Sequence, residues 1–201
     1  MKIFDKLHEK YVYDRRAQVL SDEIAKLIPE NATVLDVGCG DGLISSIIQS
    51  KRPDINIEGV DVLIRPNLYI PVKKFDGKQL PYPEKSFETV IFIDVLHHTN
   101  NPTDLLSEAY RVTYNSIIIK DHLKDSFFAG PLLHFMDWVG NKRYGVAITA
   151  NYWPTNKWKN AFEKSNLKLC LWDQNTAFFS WWSNWLFGRA LHFIARLTKA
   201  T

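Results

Sequence analysis

Three closely spaced glycines, five scattered acids and a few histidines carry most of the chemistry that residues 33 to 122 could perform. Residues 33 to 42 read Thr-Val-Leu-Asp-Val-Gly-Cys-Gly-Asp-Gly. Gly38, Gly40 and Gly42 allow positive φ and let a bound group lie on bare main chain. A dinucleotide fingerprint, Gly-x-Gly-x-x-Gly, would need glycine at position 43, where Leu43 stands. Asp36, two residues before the first glycine, suits an amino or hydroxyl donor and would repel a pyrophosphate. Asp61 follows Gly42 by nineteen residues, at a spacing from which a carboxylate can accept both hydroxyls of a ribose. Val62 beside it can pack on a flat base.

The elements that position these groups follow from hydrophobic periodicity. Thr33 to Val37 is short, apolar and β-branched, so it reads as a buried strand. Leu43 to Gln49 has helical spacing, so the glycines join a strand to a helix N-terminus, a cradle suited to a nucleotide. Tyr13 to Leu27 is a helix ending before Pro29. Ile55 to Val62 and Tyr69 to Phe75 read as strands, the latter leading into Asp76-Gly77. Thr89 to Asp94 is nearly all apolar, as a strand buried on both faces should be. Thr103 to Val112 is a helix with Thr103 as its cap, and Ser116 to Ile119 a strand running into Lys120-Asp121-His122. Trp158 to Lys164 continues as helix, Leu167 to Trp172 as strand. Leu191 to Leu197 could close the sheet as an antiparallel edge strand. Alternating strands and helices imply a doubly wound, mainly parallel sheet.

Composition bounds the rest. A chain of 201 residues, 46% hydrophobic and 23% charged, is long enough for one sizeable core and has the balance of a folded globular protein. A single domain spanning 1–201 is expected, with insertions at about 123–156 and 176–188. A net charge of +3 is too mild to argue for nucleic acid. Cys39 and Cys170 sit in glycine-rich or apolar contexts, which fits a reducing, cytoplasmic setting. The N-terminal decapeptide lacks the apolar core of a secretory signal. His97 and His98 with Cys39 lack metal-ligand spacing, so no metal is implied.

The pattern Asp-x-Gly-x-Gly-x-Gly from Asp36 to Gly42 resembles motif I of the class I S-adenosylmethionine-dependent methyltransferases, in the broad methyltransferase type 11-like group. Asp61, then Asp76-Gly77, then the run Ser86 to His98 match further motifs of that family in the right order. The resemblance covers about residues 10 to 121. It implies a Rossmann-like three-layer αβα sandwich, with a seven-stranded mainly parallel sheet and an antiparallel terminal strand. It also implies S-adenosyl-L-methionine as cofactor. Asp36, Gly38, Cys39 and Gly40 would surround its methionine part, Asp61 its ribose and Val62 its adenine. Asp76 would accept from the adenine amino group, with Gly77 beside it, and Asp94 would stand by the methionine part. Arg15 or Arg16, ahead of the first strand, could hold the cofactor carboxylate or simply line a solvated helix face.

The reaction implied is in-line transfer of a sulfonium-bound methyl group, for which the protein supplies mainly proximity and alignment. A base is needed only if the acceptor must lose a proton. His98 and His122 lie where strands end and are the candidates, with Asp121 able to orient an imidazole; His97 reads as a helix-entry or core residue. Tyr144, Asn151 and Tyr152 belong to an aromatic, amide-rich insertion that would wall the acceptor pocket. The Trp-rich stretch from Thr176 to Leu197 reads as a hydrophobic lid, as a peripheral membrane contact, or as extra core. Without the Asn-Pro-Pro-Tyr tetrad of nucleic-acid amino methyltransferases, a small-molecule or lipid-like acceptor is expected rather than nucleic acid. The rivals are an NAD-linked oxidoreductase, disfavoured by the glycine spacing, and a non-catalytic cofactor-binding or membrane-attached accessory protein.

Overall fold

The main β-strands alternate between two apolar faces, and that alternation builds the molecule. A computed structural model describes residues 2–125, 129–131, 133–134, 151–176 and 191–200, with side chains from residue 15 onward. The elements are α1 (Lys2–Leu27), β1 (Thr33–Val37), α2 (Leu43–Lys51), β2 (Asn56–Asp61), β3 (Val72–Lys74) and β4 (Phe87–Ile93). A 3₁₀ turn (Leu96–His98) follows, then α3 (Pro102–Val112), β5 (Thr113–His122), α4 (Thr155–Lys164), β6 (Leu167–Asp173) and β7 (His192–Lys199). The seven strands form one sheet in the order β3-β2-β1-β4-β5-β7-β6.

Strands β1 to β5 pair in parallel, and β7 runs antiparallel to both β5 and β6. Successive side chains of a strand point to opposite faces. On one face Leu35, Val37, Val90, Phe92, Ile117 and Ile119 pack with Leu105, Leu106, Trp158 and Phe162 of α3 and α4. On the other, Val34, Ile57, Ile91 and Ile118 pack with Leu20, Ile24 and Ile48 of α1 and α2. Each such fully buried side chain contributes about 1.5–3 kcal/mol relative to exposure. The sandwich expected from the sequence is the one observed.

Three local features differ from expectation. β7 is antiparallel as foreseen but lies inside the sheet, between β5 and β6. Its residues His192 to Ala195 are all buried, whereas β6 exposes Cys170 and Leu171, so β6 is the strand that can stand at an edge. Strand β5 runs on through Lys120, Asp121 and His122, all three of them buried. Helix α3 starts at Pro102, and Thr103 does not cap it; its hydroxyl donates instead to Asn101 Oδ1 at 2.6 Å. No helix among the described residues is long and apolar enough to cross a membrane.

Candidate active site

The carboxyl ends of β1, β2, β4 and β5 lie along one edge of the sheet, and nearly every candidate residue collects there. Gly38, Gly40 and Gly42 all adopt positive φ, at 75°, 63° and 80°. A Cβ on Gly38 would sit 2.7 Å from Val95, and one on Gly42 would sit 2.4 Å from Ile70. Gly40 is different, because its added Cβ would meet only the tip of Arg65, at 3.4 Å. The Gly40 N–H donates to Asp61 Oδ2 at 2.8 Å, and Asp61 Oδ1 accepts from Leu63 N. One carboxylate at the end of β2 therefore fixes the glycine loop and retains lone pairs for a ligand. Val62 is 53% exposed beside it. A Cβ on Gly77 would lie 3.2 Å from Val62 Cγ1, so the Asp76-Gly77 turn abuts the same spot. Asp76 Oδ1 accepts from Gln79 N and Lys78 N, which hold its carboxyl below the ordinary range.

Asp36 turns beneath the loop, where the Ser45 hydroxyl donates to Oδ2 at 2.6 Å. Burial pushes its carboxyl up to about 7, against the Ser45 hydrogen bond and with help from Asp61. The Cys39 thiol is also pushed up by burial, so it is not a nucleophile.

Beyond β4 the chain makes a sharp exit, with Asp94 in the left-handed region at φ 56°. Strain of this kind persists where surrounding contacts enforce it. Asp94 accepts from the guanidinium of Arg16 and the ammonium of Lys120, and His122 Nε2 lies 3.4 Å from its Oδ1. Burial would raise its carboxyl, but Lys120 and then Arg16 hold it well below the ordinary carboxylate range. Lys120 is fully buried, and its Nζ is 3.3 Å from His192 Nδ1. Burial, and then the Lys120 charge, depress both His122 and His192 well below the usual imidazole value.

Asp121 points to the other face of β5, so it does not orient His122. Its Oδ1 lies 2.5 Å from His97 Nδ1, and its Oδ2 accepts from Leu96 N at 3.0 Å. His97, read from sequence as a helix-entry or core residue, is buried in the 3₁₀ turn and is the imidazole that Asp121 holds. The rings of His98 and His122 stand 4.0 and 4.6 Å from that of His97. Tyr152 stacks on His97 at 5.4 Å, while its hydroxyl donates to Leu133 O. Asn151 braces the turn, donating from N to His97 O and from Nδ2 to Thr99 O. Both residues thus support the histidines, and their polar groups already have protein partners. Arg15 is exposed; Arg16 is the arginine of α1 that reaches the site. Tyr144 and the Trp-rich stretch at 177–190 lie outside the described residues. Among the described residues, no group of His, Cys, Asp or Glu is arranged to hold a metal ion.

A family model described as a methyltransferase domain matches residues 11–171. The chain belongs to this methyltransferase family. A 27-O-demethylrifamycin SV methyltransferase of Amycolatopsis mediterranei is 28% identical over 129 residues, covering 54% of this chain and 47% of the relative. A tRNA (carboxymethyluridine(34)-5-O)-methyltransferase of Schizosaccharomyces pombe is 29% identical over 116 residues, covering 50% and 49%. The chain spans about half the length of these curated relatives. In fold it resembles a chain from the complex of the Haloferax volcanii Trm112 methyltransferase activator with a methyltransferase. That match has TM-score 0.71 at 14% identity and covers 96% of this chain and 94% of the other. S-adenosyl-L-methionine is the cofactor that family and fold imply. The chain's own residues fit it. Backbone lies bare at Gly40, Asp61 is tied to the same loop, and the buried Asp36 Oδ1 has no hydrogen-bond partner among the described residues.

The buried acids and bases set an expected pH response. His122 and His192 have depressed folded-state pKa values, so the unfolded chain binds more protons below about 6.5. Each then removes about 1.4 kcal/mol of stability per pH unit as pH falls. Asp36 has the opposite sign: its folded value of about 7 makes folding more favourable as pH falls toward 4. Asp36→Asn should therefore roughly double the stability lost between pH 6 and pH 5, from about 1.4 to about 2.7 kcal/mol. Urea unfolding at the two pH values measures this, and an unchanged loss would contradict the assignment.

Proposed function

We propose that this methyltransferase is a single domain that uses S-adenosyl-L-methionine to methylate an oxygen of a small-molecule or lipid-like acceptor. The observation that carries the cofactor reading is the hydrogen bond from Gly40 N to Asp61 Oδ2, which joins the bare loop to the sugar-binding acid. When bound, the cofactor supplies an electrophilic methyl on a sulfonium leaving group. Gly38, Cys39 and Gly40 would present main chain to the methionine part, and Asp36 an acceptor to its amine. Asp61 would hold the ribose, Val62 the adenine face, and Asp76 with Gly77 the adenine edge. Arg16, in place of Arg15, is the guanidinium available to the cofactor carboxylate, with Asp94 as its partner until then. His98, His122, Asp121 and the His97 that Asp121 holds form the acceptor side.

Oxygen is favoured as the accepting atom because both curated relatives carry an oxygen position in their names, 27-O in one and 5-O in the other. The second of these acts on tRNA, which makes tRNA the specific rival acceptor. The mild net charge of +3 favours a small molecule instead. Lysate treated with the enzyme and deuterated-methyl cofactor should yield a small molecule bearing three deuteriums. Label confined to the RNA fraction would overturn the acceptor class. Absence of label together with absence of S-adenosylhomocysteine binding by calorimetry would overturn the activity.

A further inference from the structure

His122 has the makings of a base, and its surroundings narrow what it could deprotonate. The side chain is buried at the carboxyl end of β5. Nε2 faces Asp94 Oδ1 at 3.4 Å, a carboxylate to which it can donate. A proton placed on Nε2 would face that carboxylate and leave the lone pair on Nδ1. Nδ1 is buried and has no hydrogen-bond partner among the described residues. A buried polar atom left without a partner is costly, and a hydroxyl-bearing ligand would remove that cost. Three rings pack around the His122 ring, centroid to centroid: His97 at 4.6 Å and Tyr152 at 5.9 Å edge to face, and His192 at 4.7 Å tilted.

We propose that His122 Nδ1 accepts the proton of an acidic hydroxyl carried on a planar ring or enol, making phenol-like molecules the acceptor class. The inference rests on the methyl-transfer reading and deepens it. Flat walls suit a flat acceptor. Depressed basicity adds a chemical reason, since proton transfer helps most when donor and acceptor are matched. A phenol, near 10 like tyrosine, is far closer to such an imidazole than an aliphatic hydroxyl, near 16 like water.

The charged and titratable groups facing His122 are consistent with that step. From β5 comes Lys120, from the end of β4 Asp94 with its partner Arg16 of α1, from the following turn His97, from the segment before α4 Tyr152, and from β7 His192. Asp121 is engaged by His97 and backbone N–H groups on the opposite face. In the reaction the acceptor O–H bond breaks toward Nδ1 while the oxygen bonds the methyl carbon. The pair from the broken C–S bond stays on sulfur. The positive charge lost there reappears as the imidazolium of His122, beside the Asp94 carboxylate.

The test uses 4-nitrophenol, whose ionised form has its own absorbance, added to protein saturated with S-adenosylhomocysteine. Because Nδ1 accepts from the neutral hydroxyl, the bound probe should ionise with an apparent pKa raised by about one unit, a tenfold smaller ionised fraction, and His122→Asn should abolish the shift. With deuterated-methyl cofactor, wild type should label 4-nitrophenol at least tenfold faster than cyclohexylmethanol. Absence of probe binding, an unshifted probe, a shift retained in His122→Asn, or equal labelling of the two alcohols would overturn the inference while leaving methyl transfer standing. Failure of wild type to bind S-adenosylhomocysteine would instead overturn the reading beneath it. If His122→Asn does not fold, the comparison of the two acceptors on wild type decides alone.

Discussion

Asp94→Ala is expected to cost about 3–5 kcal/mol of folding stability, the penalty for breaking a buried ion pair from one side. Lys120 is 0% exposed and lies one residue beyond Ile119 in the core, so its ammonium cannot turn to water when the carboxylate is removed. Arg16, whose side chain is 25% exposed, can. The stranded charge is therefore that of Lys120. Asp94→Ala with Lys120→Met should regain most of the loss, because an apolar side chain of similar length suits the same volume. The single variant should also recover partly in alkali. Burial already lowers the Lys120 pKa and Asp94 opposes that effect; without Asp94 the folded value falls further below 10.5. An unfolded chain that binds more protons gains least as pH rises, so stability climbs through that window. Urea unfolding at pH 7 and pH 9.5 on the three proteins checks both statements. A single-variant loss below about 1 kcal/mol, or a double variant no better than the single, would mean that Asp94 is not the counter-ion on which Lys120 depends.

The same cluster explains where sequence was informative. Thr33–Val37 was legible because strand, glycines and helix lie within nineteen consecutive residues, from Thr33 to Lys51, and each local preference agrees with its neighbours. Asp61 and Asp76-Gly77 were legible for a related reason: the ends of parallel strands recur along one edge, so spacing alone lines them up. The histidines were not. Asp121 and His122 are adjacent in sequence, but alternation along β5 sends them to opposite faces. Asp121 then finds His97, 24 residues earlier, and Asp94 finds Lys120, 26 residues later. Partners that far apart leave no periodic trace. Lys120 itself was readable only as a polar end to an apolar strand, and the position of β7 depends on a pairing that skips β6. The exposed stretch from Val62 to Tyr69 carries no helix, although a parallel crossover usually has one, and nothing in its local pattern announced that.

Gly40→Val should abolish cofactor binding while leaving most of the fold, whereas Gly38→Val should compromise the fold itself. Both residues have positive φ, where a side chain costs about 1–2 kcal/mol and a β-branched one more. What separates them is the space around each. At Gly38 the new Cβ would enter Val95 at 2.7 Å, and Val95 belongs to the packed exit from β4. Overpacking there adds about 1–3 kcal/mol to the strain. At Gly40 the nearest atom is the far end of the flexible Arg65 side chain, at 3.4 Å, which can move aside. The Gly40 N–H can still donate to Asp61, so the loop keeps its tether. The isopropyl group would then occupy the space that the methionine part of S-adenosyl-L-methionine needs. Calorimetry with S-adenosylhomocysteine should show affinity falling at least 100-fold, more than about 2.7 kcal/mol, for a Gly40→Val protein that still unfolds cooperatively. Asp61→Asn offers a second reading of the same cradle, since its one acceptor oxygen can serve only one of Gly40 N and Leu63 N and is a weaker acceptor for the ribose hydroxyls. Undiminished affinity in Gly40→Val would mean that the loop is only a tight turn between β1 and α2, and that the cofactor lies elsewhere.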